Sequence, residues 1–184
     1  MSVTEQTYQA VAVEDPERQW ELHDGLLVEK PWMGNEHSDV MSYLGFALMG
    51  QLDGEKFRVH IDSTRLRETQ RRYYIPDVVV IPIDLFRRGL GHPGQLEFYN
   101  EPMPYVAEVW SPSTGRYDVD TKLPAYMGRG DREIWRLHPY ERTLTTWVRQ
   151  LDGTYTMTVY HGGIVELSSF PGVTIDLDAL FDFR

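Results

Sequence analysis

Pro76-Asp77-Val78-Val79-Val80-Ile81 carries an unbroken β-branched run behind a proline and an acid. Four such residues in a row suit a strand covered on both faces, because a half-exposed strand alternates with polar side chains. A second apolar run, Tyr105-Val106-Ala107-Glu108-Val109-Trp110, reads the same way and is ended by Ser111-Pro112-Ser113. Upstream, Val40, Met41, Leu44, Ala47, Leu48 and Leu52 recur at threes and fours. That spacing predicts a helix with Asn35 as its N-cap and Asp53-Gly54 as its stop. Downstream, Tyr117–Arg129 reads as a second helix, kinked by Pro124 in its interior.

The flanks complete the pattern. Asp24-Gly25 between Gln19–His23 and Leu26–Lys30 is a strong hairpin signal. Phe57–Asp62 and Thr64–Arg67 alternate as strands, Ile83–Arg88 suits a short helix, and Gly89–Pro104 is loop-like. Glu133–Leu137 is a further strand, followed by alternating runs at Thr143–Arg149, Thr154–Tyr160 and Ile164–Leu167 and a closing helical turn at Asp176–Phe181. Residues 1–18, apolar only weakly over Tyr8–Val13, are expected to form a loose arm, with 19–184 as one domain. The order hairpin, helix, strands, helix, strand meander gives an α/β (α+β) fold with a mixed central sheet.

The 184 residues are 41% hydrophobic, 12% aromatic and 25% charged, a globular composition. A formal net charge of −10 argues against a protein that coats DNA, which needs a broadly positive surface. The absence of Cys removes disulfides, thiolate metal sites and cysteine nucleophiles together. The polar stretch Met1 to Val13 lacks a signal-peptide core, and no run approaches the ~20 apolar residues of a membrane span. A soluble, cytoplasmic protein with no membrane contact is expected.

Two carboxylates stand out. Asp77 sits at the mouth of the first buried strand, and Glu108 lies inside the second. A carboxylate buried there costs several kcal/mol unless it is paired or bound to a metal. Asp77 also reads as a strand-end cap and Glu108 as half of a buried ion pair. Lys122, fourteen residues after Glu108 on the helix that leaves its strand, could return near it as a compact positive charge. Alternatively Asp118 and Lys122, four apart, form an ordinary surface pair. Glu21 faces opposite to Trp20 and Leu22, toward solvent if they face the core, and His37 opens the first long helix in an exposed position.

Other chemistries fit less well. None of the six histidines has zinc-protease spacing, and Ser111 does not lie in a Gly-x-Ser-x-Gly elbow. A glycosidase would need its two carboxylates ~5–9 Å apart across a sugar cleft. Arg65, Arg67, Arg71 and Arg72 form a basic strip that reads as a phosphate contact surface or as a solvated hairpin edge.

The ordered set Trp20-Glu21-Leu22-His23-Asp24-Gly25, Glu36-His37, Pro76-Asp77-Val78-Val79-Val80, Ala107-Glu108-Val109-Trp110-Ser111-Pro112-Ser113-Thr114, Asp118 to Lys122 with Tyr126, and Arg132-Glu133-Ile134-Trp135 resembles the Uma-two family. That family belongs to the PD-(D/E)xK, restriction-endonuclease-like superfamily. The resemblance spans roughly Trp20 to Trp147. It implies a metal-dependent endonuclease hydrolysing DNA, with Asp77 and Glu108 as ligands of Mg²⁺ or Mn²⁺. The superfamily's lysine normally stands two residues after the second acid, where this chain has Trp110; the resemblance transfers that role to Lys122. Glu21 then completes the site, with His37, Asp118 and Tyr126 in support. A homodimer is expected for cutting both strands, and the alternative is an inactive interaction module that keeps the fold. Two carboxylates sharing a metal-free site repel, so at least one of Asp77 and Glu108 is expected to have a raised pKa.

Overall fold

The computed structural model describes residues 2–113 and 117–183, with the backbone alone at 118 and 119. Its first half runs α1 (Glu5–Glu14), β1 (Trp20–His23), β2 (Leu26–Glu29), α2 (Asn35–Gln51), β3 (Phe57–Ile61), β4 (Leu66–Thr69), β5 (Arg72–Tyr74), β6 (Val78–Pro82) and α3 (Ile83–Gly89). The second half follows with β7 (Tyr105–Val109), a π turn (Asp118–Lys122) and α4 (Leu123–Arg129). It closes with β8 (Glu133–His138), β9 (Thr143–Arg149), β10 (Tyr155–Tyr160), β11 (Ile164–Glu166), β12 (Thr174–Asp176) and α5 (Leu177–Leu180).

The central sheet has six strands in the order β10-β9-β8-β7-β6-β3. Only β7 and β8 pair in parallel, and the crossover between them carries the π turn and α4. The sheet is therefore mixed, as the sequence predicts. A smaller sheet, β2-β1-β5-β4, packs the hairpin beside it, and β11-β12 form a separate ribbon.

Alternation along the two buried strands splits the core into two layers. Val78, Val80, Tyr105, Ala107 and Val109 face Val40, Leu44 and Leu48 of α2, together with Leu177 and Leu180 of α5. Val79, Ile81 and Val106 face Ala125 and Tyr126 of α4, with Leu66 and Tyr74 from the smaller sheet. Both faces are covered, which is why these strands tolerate no polar alternation. Full burial of each such aliphatic side chain stabilises the fold by ~1.5–3 kcal/mol relative to exposure.

Three departures from the sequence reading have local causes. The expected loose arm contains α1, capped where Thr4 Oγ1 accepts the Thr7 N–H at 3.1 Å. That helix buries only Tyr8 and Ala12, against Leu22 and Tyr73, too few apolar positions to set a readable period. The start of α2 lies at Asn35 with Gly34 as cap, so Asn35 is inside the helix and makes no side-chain cap. The expected strand Thr64–Arg67 begins instead at Leu66 and runs to Thr69. The helix expected over Tyr117–Arg129 is present, as the π turn running directly into α4, and Pro124 stands just after that junction, where the widened turn accommodates its missing N–H. Among the described residues, no helix is long and apolar enough to cross a membrane.

Candidate active site

Asp77 and Glu108 meet because β6 and β7 are antiparallel with Val78 opposite Ala107. Continuing that register by one residue sets Asp77 across from Glu108, on the α4 side of the sheet. Both are buried, at 1% and 5% exposure. The Val109 N–H donates to Asp77 Oδ2 at 2.7 Å, tying the acid of one strand to the backbone of the next.

Lys122 ends the π turn and points back at the same place. Its Nζ lies 3.3 Å from Glu108 Oε1 and 3.1 Å from Glu21 Oε1. Tyr126, four residues later and on the same helical side, donates its hydroxyl to Glu108 Oε1 at 2.5 Å. One face of the crossover thus delivers a cation and a hydroxyl to a single carboxylate.

The hairpin supplies the remaining wall. With Glu21 opposite Val28, one face of the hairpin presents Glu21 and His23 from β1, then Val28 and Lys30 from the return strand and its end. All four line a cleft of about 240 Å³ together with Asp77 and Glu108. Leu22 points the other way, into the cluster with Tyr8 and Tyr73. Glu21 therefore does oppose its neighbours, yet its side faces this cleft and not open solvent, and it is 2% exposed. Its Oε1 accepts the Ile75 N–H at 2.7 Å, and its Oε2 lies 2.8 Å from His23 Nε2. His23 in turn stacks on Tyr117, with centroids 4.4 Å apart.

Asp77 is held from three sides. Lys30 Nζ stands 2.7 Å from Oδ1, and His37 Nε2 stands 2.9 Å from Oδ2, beside the Val109 N–H. Lys30 also bonds Asp62 Oδ1. His37, expected at an exposed helix start, is buried.

These contacts set the electrostatics. Burial pushes Asp77 upward, but Lys30 and the His37 hydrogen bond outweigh it and hold the carboxyl far below its ordinary range. The expected carboxylate repulsion does not raise Asp77, because Lys30 neutralises it. Burial likewise raises Glu21, and Lys122, the His23 hydrogen bond and Lys30 bring it down to about 2. Burial works to neutralise Lys30, while Asp77 and Asp62 keep it charged well above the usual lysine range.

The donor chemistry fits a hard divalent cation. Asp77, Glu108, Glu21 and Asp62 bring four carboxylates against the two ammoniums of Lys30 and Lys122, an oxygen-rich donor set of the kind hard divalent cations take. Among the described residues, no three His, Asp or Glu side chains already stand in ligating geometry.

The four arginines of the expected strip do not line this cleft. Arg67 pairs with Glu5 at 2.7 Å, and Arg72 pairs with Asp24 at 2.6 Å and with Glu68. Arg71 bonds the Asp24 carbonyl and Ser2, and Arg65 lines a separate hollow with His60 and Glu97. The side chain of Asp118 lies outside the described residues. Sequence reasoning missed Lys30, His23, Asp62 and Tyr117. A signal for the first two was present: period two from Glu21 selects His23 on its own strand and, across the Asp24-Gly25 turn, Val28 and Lys30.

Comparison with known proteins agrees with this architecture. Residues 5–178 match the family model Uma2, described as "Putative restriction endonuclease". A solved structure described as "a putative nuclease belonging to DUF820", from Anabaena variabilis ATCC 29413, superposes with a TM-score of 0.71 at 18% identity, covering 90% of each chain. At that identity the likeness establishes the fold. No curated protein matches the chain.

Proposed function

The chain belongs to the Uma2 family, and from that premise we propose that it is a metal-dependent endonuclease hydrolysing phosphodiester bonds of DNA. The observation that carries this reading is convergence. Glu21, Asp77, Glu108 and Lys122 come from β1, the entry to β6, β7 and the π turn, and they meet in one cleft. Asp77 and Glu108 would hold Mg²⁺ or Mn²⁺, which when bound supplies Lewis acidity toward the phosphate and a more acidic water.

The chain's own groups do the positioning. Tyr126 and Lys122 fix the Glu108 carboxylate, while His37 and the Val109 N–H fix Asp77. Lys122, gripped between Glu21 and Glu108, presents a positive charge toward a phosphate entering the cleft, where developing negative charge is stabilised by a preorganised cation. The net charge of −10 is compatible with this reading when the bound cation itself supplies the positive field of the cleft beside Lys122. Cutting both strands calls for two such sites, so the reading extends to a homodimer working in the cytoplasm, and sedimentation gives its stoichiometry.

The test is cleavage of plasmid and linear DNA with Mg²⁺ or Mn²⁺, by the wild type and by Glu108→Gln. The wild type is expected to nick or cut, and the variant to stay folded and lose the activity, because the amide keeps the shape and loses the charge that holds the cation. Absence of both divalent-ion binding and cleavage in the wild type, across DNA and RNA substrates, replaces this reading with the inactive interaction module.

A further inference from the structure

We propose that Lys30 is a displaceable internal cation, seated on Asp77 in the metal-free protein and moved onto Asp62 when a divalent ion binds. The inference rests on the metal-dependent reading above and concerns what this chain does with Asp77 before the ion arrives.

Lys30 has two seats. Its Nζ lies 2.7 Å from Asp77 Oδ1 and also bonds Asp62 Oδ1. The seats differ in depth: the Asp77 side chain is 2% exposed, whereas that of Asp62 is 33% exposed. The lysine side chain itself is 4% exposed, so the buried ammonium has no water to fall back on and needs a carboxylate.

Asp62 is built to be the second seat. It adopts φ 48°, a left-handed conformation that non-glycine residues rarely take. Two backbone bonds hold it there: its N–H donates to the Asp77 carbonyl at 2.8 Å, and its carbonyl accepts Gln19 Nε2. A structural role for Lys30 alone would need one partner acid, already supplied by Asp77. The second acid, fixed in a costly conformation beside it, gives the ammonium somewhere to go.

Displacement follows from charge. A divalent ion and an ammonium both on Asp77 Oδ1 repel more strongly than two unit charges at the same separation, so the arriving ion drives the ammonium from that oxygen. The backbone of Lys30 is anchored, its N–H donating to the Gln19 carbonyl at 2.8 Å, so only its flexible four-carbon stem needs to move. Lys122 lies between Glu21 and Glu108, both buried, whereas the acids of Lys30 differ in depth.

The test is titration of the metal-free full chain with Mn²⁺, read by isothermal calorimetry and by loss of the free-ion paramagnetic resonance signal. Lys30→Met is expected to bind Mn²⁺ about tenfold or more tightly, because the competing charge is gone. Asp62→Asn, which keeps Lys30 on Asp77 and removes its second seat, is expected to bind several-fold more weakly. Asparagine tolerates the left-handed backbone, so this variant should keep a native circular dichroism spectrum. Should Lys30→Met fail to fold, weaker binding by Asp62→Asn upholds the inference and unchanged binding overturns it. Wild-type binding with both variants unshifted, or shifted in the same direction, overturns the role of Lys30 and leaves the metal site standing. Failure of the wild type and both variants to bind Mn²⁺ overturns the metal site and this inference together.

Discussion

Replacing Glu21 by Gln isolates one charge of the buried cluster, and its effect is readable against pH. Glu21 is 2% exposed, with Lys122 Nζ 3.1 Å away, His23 Nε2 2.8 Å away and the Ile75 N–H donating at 2.7 Å. Burial raises its pKa, but Lys122, His23 and Lys30 prevail and lower it from 4.5 to about 2. At ~1.36 kcal/mol per unit, ionised Glu21 contributes about 3 kcal/mol to stability, an order-of-magnitude figure. The folded value lies below the unfolded one, so this contribution is fully present above pH 4.5 and is lost as pH falls through about 2. Urea unfolding of the wild type and Glu21→Gln should differ by about 3 kcal/mol at pH 7 and by about half that at pH 3. A gap that stays constant between the two pH values, or widens at pH 3, refutes the reasoning, because Glu21 would then not be held ionised by its neighbours.

Two further substitutions separate the site from its surroundings. Tyr126→Phe removes the hydroxyl that donates to Glu108 Oε1 at 2.5 Å and should cost about 1–3 kcal/mol in thermal or urea unfolding. It should also slow metal-dependent cleavage by loosening Glu108. Arg72→Ala breaks partly exposed pairs with Asp24 and Glu68, so it should cost less than about 1 kcal/mol and leave DNA affinity and its salt dependence unchanged. A salt slope reduced by about one in that variant, measured by fluorescence anisotropy, would return Arg72 to the substrate surface.

The parts of the fold legible in the sequence are those where burial is two-sided or strictly periodic. Val78–Ile81 and the run around Glu108 announced central strands because both faces are covered, by α2 on one side and α4 on the other. Asp77 and Glu108 were legible as acids at the mouth of one such strand and inside the other, and Lys122 from the helix that leaves the Glu108 strand. What stayed hidden depends on tertiary partners. Only Tyr8 and Ala12 of α1 are buried, too few to set a readable period, and the residues they pack against lie outside the helix. Lys30 looks like an ordinary solvated lysine at the end of a hairpin; its role appears only when β6 brings Asp77 within 2.7 Å. The surroundings of the arginine strip were hidden for the same reason: the acids that Arg67 and Arg72 meet, Glu5 and Asp24, are far from them in sequence.

The most direct test of the central claim is a crystal of the protein soaked in Mn²⁺, with anomalous diffraction locating the ion. The expected result is a peak held by the Asp77 and Glu108 carboxylates, with Lys30 Nζ withdrawn toward Asp62. A Mn²⁺ peak elsewhere, or none while Lys30 stays on Asp77, contradicts the account.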